Sequence, residues 1–323
     1  MHGADRRGRS EAGFSLVELL VSTAVILIIS SAVTSGLLTM SNSQKTIANR
    51  VDMHAGIRSA TELLQQEVGQ AGRIALPGTA TLSGAVGVGT VPVVINQTIG
   101  GVTSPNVSGI FVGEQLVVDA GDTLRETVPV TAVTPATNQI TATFGSAHAA
   151  GAPVTVSGGF ATGIVPPQPG FANGSTGTVL KLYGDVNGDG NMMYVEYTCD
   201  PLPAGTGNFY RNAMAYDSAA KTAATISQAL LTNIQTNPGG TACFTYMPSP
   251  LPVVSGNSYV LDVAITLTVQ TQSVDPITKQ FQVETKALLN VSPRNVFDVW
   301  QLASAGITNR VQPMPLSVTN LLP

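Results

Sequence analysis

The hydrophobic pattern of the chain is dominated by one apolar stretch near its N-terminus. No charged residue occurs between Glu18 and Lys45, and the apolar core of the stretch runs to Val33. At a rise of about 1.5 Å per residue, a helix of this length crosses a hydrocarbon core of roughly 30 Å. A secretory signal peptide would have an A-x-A-like cleavage site after its apolar core, and no such site follows the core here. The pattern therefore predicts a membrane-spanning helix over residues 14–44.

Beyond this stretch, the pattern predicts an amphipathic continuation of the helix over residues 45–76. Apolar or small residues recur at steps of three and four, which trace one helix face. The predicted face consists of Ile47, Val51, His54, Ile57, Thr61, Leu64, Val68 and Ala71. Leu76-Pro77-Gly78 ends the helix. We expect this face to pack against a β-sheet, with His54 as a packing or surface residue rather than a ligand.

The rest of the chain alternates between short β-prone runs and turn residues. Residues 79–165, rich in Thr, Val and Gly, predict an inserted all-β module, and the PPQPG run at 166–170 is a plausible boundary. Residues 171–300 predict a second β-sheet domain, and the tail 301–323 is predicted to be loosely ordered. The predicted fold class is therefore α+β: a long N-terminal helix, first a membrane anchor and then amphipathic, packed on an antiparallel sheet.

The strand predictions are specific enough to be compared with the structure. In the module they lie at 91–95, 109–112, 115–119, 125–133, 139–144 and 153–157. In the second domain they lie at 179–183, 192–197, 209–210, 244–247, 259–269 and 280–291, with 226–234 left open as a short helix or a strand.

Composition and charge place most of the chain outside the cytoplasm. Charged residues make up 11% of the chain and the net charge is −4, so no basic face for nucleic-acid binding is predicted. Arg6, Arg7 and Arg9 precede the apolar stretch and keep the N-terminus cytoplasmic. Cys199 and Cys243 lie far beyond it, and such a pair predicts one disulfide in an oxidising compartment, with two buried free thiols as the alternative.

One stretch matches a metal-binding pattern. Residues 185–196 read D-V-N-G-D-G-N-M-M-Y-V-E, which fits the calcium-loop pattern D-x-[DN]-x-[DN]-G-x5-E. Calcium takes six to eight hard oxygen ligands. The predicted ligands of a structural Ca²⁺ are Asp185, Asn187, Asp189, Asn191 (through its backbone carbonyl) and Glu196. The residues before Asn191 are also typical of a plain β-hairpin turn, and strands rather than helices are predicted on both sides.

Catalytic patterns find little support in the sequence. The three histidines, His2, His54 and His148, are scattered, and His148 lies in a predicted loop where we interpret it as inert. No G-x-S-x-G, H-E-x-x-H or phosphate-binding loop pattern occurs. We therefore do not expect an enzyme.

The start of the apolar stretch resembles the prepilin signature of type IV pilins and type II secretion pseudopilins. The residues that carry the resemblance are Gly13-Phe14-Ser15-Leu16-Val17-Glu18, after a basic leader. The resemblance implies that a membrane peptidase cuts after Gly13, so that residues 1–13 are a leader. It also implies that the new N-terminal Phe14 is N-methylated. Glu18, the fifth mature residue, would then meet the amino terminus of a neighbouring subunit, which offsets two charges that are costly in lipid.

A second resemblance narrows the class. The stretch EVGQAGR at 67–73, preceded by SATELLQQ, is similar to the end of the long helix in W-like minor pilins and J-type minor pseudopilins. It implies a minor type IV pilin, anchored in the inner membrane by one span with its C-terminal domain in the periplasm, then incorporated into a surface pilus. The implied partners are other pilins, the prepilin peptidase and the inner-membrane assembly machinery.

Three alternatives stay open at this point. The first is a J-like minor pseudopilin of type II secretion. The second is a pilus-tip adhesin that binds its ligand through residues 79–165, which an exposed aromatic patch on that module would favour. The third is a signal-anchored periplasmic enzyme, which retention of residues 1–13 in the mature protein would favour.

Overall fold

The computed structural model describes residues 13–169, 173–202, 207–221 and 228–322 of the 323-residue chain. Of the predicted leader, only Gly13 lies within these ranges. The helices are α1 (Leu16–Gln70), α2 (Arg294–Ser304) and α3 (Leu316–Leu321). The chain divides into two compact units. One contains the residues up to Asp52 together with Gln272–Gln282, and the other contains Met53–Thr271 and the residues from Val283 onward.

The first seven strands form a closed antiparallel barrel with one strand added at its side. They are β1 (Thr79–Leu82), β2 (Gly89–Ile99), β3 (Val102–Pro105), β4 (Gln115–Val118), β5 (Glu126–Thr134), β6 (Gln139–Phe144) and β7 (Pro153–Val156). The order is β1-β7-β4-β5-β6-β2, and β1 pairs with β2, which closes the ring, while β3 pairs with β2. Closure satisfies the backbone groups that an open sheet would leave at its edges.

The barrel core follows from alternation along the strands. In β6 every second side chain is buried, from Ile140 through Ala142 to Phe144. Thr141 and Thr143 fall between them and point away, as the two-residue period of a strand requires. The remaining core members from the barrel strands are Ala80, Leu82, Val93, Ile95, Leu116, Val118, Val128, Val130 and Val154.

The remaining strands build a second antiparallel sheet and two small pairs. They are β8 (Gly159–Phe160), β9 (Val179–Gly184), β10 (Met193–Asp200), β11 (Gly207–Ala215), β12 (Ala229–Gln235), β13 (Phe244–Met247), β14 (Val253–Val254), β15 (Asn257–Ser258), β16 (Asp262–Gln270), β17 (Val283–Val291) and β18 (Val311–Gln312). The second sheet has the order β9-β10-β11-β12-β16-β13, and β17 pairs with the other side of β16. The predicted α+β fold class, with a long apolar helix and an all-β module, is confirmed, while the predicted domain boundaries stay a prediction.

The C-terminal part of α1 packs on the second sheet. Its buried residues are Met53, Ile57, Ala60, Thr61, Leu64, Glu67 and Val68. The apolar ones among them share one core with apolar side chains of β9–β13, β16 and β17. The predicted face is therefore buried from Ile57 to Val68, and Ala71, just beyond the end of α1, is buried as well, whereas the prediction of burial is wrong for Ile47 and Val51. Ile47 and Val51 are more than half exposed, and His54 is a surface residue that pairs with Glu284 at 2.7 Å.

Gly72 ends this helix in a conformation that few residues other than glycine adopt. Its φ is +80°, its N–H donates to the carbonyl of Tyr183 at 2.9 Å, and its carbonyl accepts from the N–H of Phe160 at 2.9 Å. A Cβ at this position would lie 2.8 Å from Cγ2 of Val296. The Ala-Gly-Arg sequence therefore stops α1 because the backbone must turn sharply and closely past two other segments. The predicted end of the helix at Leu76-Pro77-Gly78 is wrong, since α1 already ends at Gln70.

Two sequence predictions are wrong here. Residues 109–112 form turns rather than a strand, because Gly109 and Gly113 both have positive φ, at +85° and +93°. The tail is not loosely ordered within its described residues. It contains the end of α2, the strand β18 and the helix α3, whose Val318 and Leu321 are fully buried. Glycine and prolines interrupt this tail, but the apolar residues between them form buried faces.

Candidate functional site

The predicted processing site lies directly before the long helix. Gly13 and Phe14 are not in a helix or strand, and Phe14 is 86% exposed. A Cβ at Gly13 would have no neighbour within 4 Å. Among the described residues, nothing packs against Gly13.

Glu18 caps the helix to which it belongs. Its Oε2 accepts the backbone N–H of Ser15 at 3.0 Å, and the carbonyl of Ser15 accepts the N–H of Leu19 at 3.1 Å. With Ser15 as the capping residue, Glu18 occupies the third helical position, which is the acidic half of a capping box. A carboxylate here also opposes the positive end of the helix dipole.

The helix beyond Glu18 presents apolar side chains on all sides. Its hydropathy and length make it a candidate membrane span, and none of its most apolar window is buried within the chain. Three of its hydroxyl groups are satisfied internally, because Thr23, Ser31 and Thr39 each donate to a carbonyl three or four residues earlier in the helix. Such internal satisfaction is what hydrocarbon requires of a polar group. The segment fits a membrane anchor.

The acidic loop is a tight turn between β9 and β10. Oδ1 of Asp185 accepts the N–H of Asp189 at 3.0 Å, and Oδ1 of Asp189 accepts the N–H of Asn191 at 2.9 Å. Asp185 is fully buried, and its Oδ2 has no hydrogen-bond partner among the described residues. Nε of Arg73 lies 3.4 Å from this oxygen. A buried carboxylate oxygen without a hydrogen bond suits a cation, and the nearby guanidinium supplies one already.

The fifth predicted ligand is engaged elsewhere. Glu196 lies on β10, where its Oε2 accepts the hydroxyl of Tyr194 at 3.0 Å and pairs with Nζ of Lys221. The amide of Asn187 lies 3.1 Å from Sδ of Met193. The structure thus brings Asp185, Asn187, Asp189 and Asn191 into one turn. Among the described residues, no group of three or more His, Cys, Asp and Glu side chains is arranged to hold a metal ion, and calcium binding stays a prediction.

The predicted disulfide is present. Cys199 at the end of β10 is bonded to Cys243, which directly precedes β13, across 44 residues of sequence. Both residues are buried in the core under the second sheet. The bond links β10 to the residue before β13, and these two strands are not neighbours in the sheet. The prediction of one disulfide rather than two free thiols is confirmed.

One histidine has a role that the sequence did not indicate. His148 is buried in the barrel, with Nδ1 at 2.5 Å from Oδ2 of Asp119 and Nε2 at 2.5 Å from Oε1 of Glu126. Glu126 also accepts the N–H of Gly145 at 2.8 Å. Burial alone would lower the pKa of His148, but the two carboxylates raise it above its usual value. His148 thus joins the β6–β7 connection to Asp119 and Glu126, at the two ends of the β4–β5 connection. This is a structural role, and the interpretation of His148 as functionally inert stays a prediction.

A buried ion pair also escaped sequence analysis. Glu67 on α1 accepts hydrogen bonds from Nε and Nη2 of Arg211 on β11 and from the hydroxyl of Tyr197 on β10. Glu67 is only 2% exposed. Burial raises the pKa of Tyr197, and the neighbouring carboxylate raises it further. The only signal in the sequence was the charge itself, within an otherwise apolar helix face.

Comparison with known families identifies one segment. Residues 8–34 match the family model of the prokaryotic N-terminal methylation motif. The match contains Gly13, Phe14 and Glu18 together with the first turns of α1. Comparisons with curated proteins and with solved structures find no match.

Proposed function

Because the chain carries the N-terminal methylation motif of the type IV pilin-like prepilins, we propose that it is a minor type IV pilin of the W-like kind. The subunit is made as a precursor, is cut between Gly13 and Phe14 by prepilin peptidase, and enters or primes a pilus. Before assembly, α1 holds it in the inner membrane with both β-sheets in the periplasm. Its partners are other pilins and the assembly machinery, and its role is structural.

The observation that supports this proposal most strongly is the position of Glu18. A carboxylate within an apolar, lipid-facing helix is costly and therefore functional by default. In the free subunit its charge is partly offset by the capped helix end, through the N–H of Ser15. In a filament, the methylated amino group of a neighbouring subunit replaces this weak partner with a full positive charge. The exchange favours assembly and fixes the axial position of one subunit against the next.

The first test is the mass of the N-terminus. The full chain is purified from membranes of cells with and without prepilin peptidase, and its N-terminal peptide is measured by mass spectrometry. We expect a start at N-methylated Phe14 only when the peptidase is present. A protein that keeps residues 1–13 in both strains overturns the proposal and favours the signal-anchored enzyme.

The second test separates the charge of Glu18 from its capping role. Glu18→Ala removes both, whereas Glu18→Gln keeps an oxygen that can accept the N–H of Ser15. We expect both variants to be processed and inserted, and both to be lost from sheared filaments. If Glu18→Gln assembles normally while Glu18→Ala does not, the helix cap rather than the charge pair drives assembly.

The alternatives differ in what would support them. The EVGQAGR stretch resembles J-type pseudopilins as much as W-like pilins, so a type II secretion pseudopilus remains the second candidate. If this candidate is correct, deletion of the gene abolishes protein secretion and leaves pili intact.

For the adhesin alternative, the expected exposed aromatic patch is not found on the module, because its three aromatic side chains, Phe111, Phe144 and Phe160, are all buried.

A further inference from the structure

The connection between β16 and β17 exposes apolar side chains. Val274, Ile277 and Phe281 are 43%, 58% and 44% exposed. Single exposed apolar residues are normal on a protein surface, but three within one short loop need a reason. We call residues 273–281 the apolar loop.

The apolar loop has a defined internal structure. Asp275 is 2% exposed, and its Oδ1 accepts the N–H groups of Ile277 at 2.7 Å and Thr278 at 3.2 Å. Its own N–H donates to the carbonyl of Gln280 at 2.9 Å. Burial alone would raise the pKa of Asp275, but these N–H donors lower it below its usual value, so the carboxylate stays charged and keeps the loop closed. The loop therefore displays its apolar side chains in a folded conformation.

The apolar loop is attached to α1 just after the predicted membrane span. Oγ1 of Thr46 donates to Oδ1 of Asp275 at 3.1 Å. Nδ2 of Asn49 donates to the carbonyl of Ser273 at 3.4 Å. Arg50 contacts Gln282 at the end of the connection. All of these residues belong to the same compact unit as the anchor.

When α1 spans a bilayer upright, the attachment point lies just beyond the lipid headgroup layer, and tilt of the helix brings it to that layer. Thr46 follows Met40, the last large apolar residue of the run, by six residues, or about 9 Å along the helix axis. The headgroup layer adds roughly 5–7 Å on each side of the hydrocarbon core, and tilt brings one side of a helix closer. Lys45 and Lys279 are exposed at this level, and basic side chains favour anionic headgroups.

We propose that the apolar loop is a second membrane contact of the unassembled subunit. Ile277 and Phe281 insert into the boundary between headgroups and acyl chains, Val274 covers the same surface, and the two lysines face anionic lipid. This inference rests on the proposed anchoring by α1, and it adds a lipid-binding surface on the folded part of the chain. Its effect is to restrict the tilt and rotation of the subunit before it joins a partner.

The test uses fluorescence quenching by lipids. The only cysteines of the chain are joined in a disulfide, so Ile277→Cys gives one reactive thiol for a polarity-sensitive dye. The full chain is placed in vesicles of phosphatidylcholine and phosphatidylglycerol that contain lipids with a nitroxide near the headgroup. The matched control is Val253→Cys, at a residue of β14 that is 66% exposed. Leu27→Cys with a deep nitroxide reports on the anchor itself.

We expect a roughly twofold loss of dye fluorescence at position 277 and none at position 253, as for a side chain within the interface. Quenching at position 27 without quenching at position 277 overturns the apolar loop as a lipid contact and leaves the anchor intact. In that case, the dye at position 277 is tested for quenching by aqueous iodide. Protection from iodide that increases with protein concentration identifies a second subunit as the partner that covers the apolar loop. Absence of quenching at position 27 overturns the anchored state, and the present inference with it.

Discussion

Glu67 and Arg211 form a buried ion pair that joins the long helix to the second sheet. The N–H at Nε of Arg211 is shared between the two carboxylate oxygens at 3.0 and 3.1 Å, Nη2 of Arg211 donates to Oε1, and the hydroxyl of Tyr197 donates to Oε2 at 2.5 Å. Removing charges from water is expensive, so such a pair contributes little net stability. It does penalise every packing of α1 that leaves the carboxylate without these donors. We infer that Glu67 fixes the rotation and axial position of the helix on the sheet.

We expect Glu67→Ala to lower the free energy of unfolding by about 3–5 kcal/mol, because Arg211 and Tyr197 are then left without their partner. The measurement is chemical denaturation of the full chain in detergent. Glu62→Ala is the matched control on the same helix, since Glu62 forms a solvent-exposed pair with Arg58 at 2.7 Å, and exposed pairs contribute little. Equal losses in the two variants would contradict the role assigned to Glu67.

Gly72 and Gly69 provide a second matched pair. Gly69 lies inside α1 with no neighbour within 4 Å of a Cβ, so Gly69→Ala should stabilise the chain by about 0.5–1 kcal/mol. Gly72 has a φ of +80°, and a Cβ there would lie 2.8 Å from the side chain of Val296 and 3.0 Å from the carbonyl of Phe160. Gly72→Ala should therefore destabilise it by more than about 1 kcal/mol. The measurement is the denaturation midpoint of each variant relative to the native chain. We expect it to rise for Gly69→Ala and to fall for Gly72→Ala.

These cases show which parts of the fold the sequence predicts. Residues 139–144 and 244–247 were predicted with the observed bounds, because half-buried strands alternate strictly and turn residues flank them. Residues 109–112 form turns, although apolar side chains among them are buried. A run of buried apolar residues therefore does not by itself distinguish a strand from a turn. The predicted face of α1 is exposed before Ile57. The periodicity of the sequence predicts which side of the helix is apolar, but not where along the helix the partner sheet begins.

The candidate site residues also divide into those that a local sequence motif reveals and those that come together only in the fold. Gly13, Phe14 and Glu18 are adjacent in sequence, so a local motif suffices to find them. His148 depends on Asp119 and Glu126, which lie 29 and 22 residues away. Pairs of this kind arise only when the barrel closes, and no local pattern indicates them.

The His148 cluster predicts a pH dependence. Because the pKa of His148 in the folded state is raised above 6.5, its charged form stabilises the barrel fully below pH 6.5, and this contribution is lost as pH rises through the raised pKa. The pKa of Glu126 is lowered from 4.5 despite its partial burial, because His148 and two backbone N–H groups bind the carboxylate. Its contribution is therefore lost only as pH falls through that lowered value.

His148→Gln should remove the loss of stability that occurs as pH rises through the pKa of His148. The readout is the difference in unfolding free energy between the native chain and the variant, followed from pH 5 to pH 9. The difference should shrink as pH rises. His54→Gln serves as control, because His54 is exposed on the helix surface. A difference that is constant with pH would mean that His148 contributes by packing alone.

Glu114 predicts a further loss of stability with rising pH. It is fully buried, its Oε1 has no hydrogen-bond partner among the described residues, and burial raises its pKa to about 8. The folded state therefore holds a proton that the unfolded chain releases above about pH 4.5. Stability should fall between these two values as pH rises. Glu114→Gln, which is neutral and of the same shape, should flatten this fall, and an unchanged pH profile would show that Glu114 ionises freely in the folded chain.

Calcium at the loop Asp185–Asn191 is open to a direct test. The buried, unbonded Oδ2 of Asp185 favours a cation, whereas Arg73 at 3.4 Å competes with one. If calcium binds with the affinity typical of extracellular sites, a concentration ten times the dissociation constant stabilises the fold by about 1.4 kcal/mol. The midpoint of thermal unfolding should then rise with calcium and not with magnesium, because magnesium keeps its water shell more firmly.

Variants of the loop assign the ligands. Asp185→Asn should abolish the calcium response, and Arg73→Gln should strengthen it by removing the competing charge. Glu196→Gln decides whether the fifth predicted ligand takes part. Since its carboxylate is already paired with Lys221 and Tyr194, we expect this variant to retain the response. If the native chain shows no response to calcium, the loop is a plain hairpin turn whose buried carboxylate is balanced by Arg73 alone.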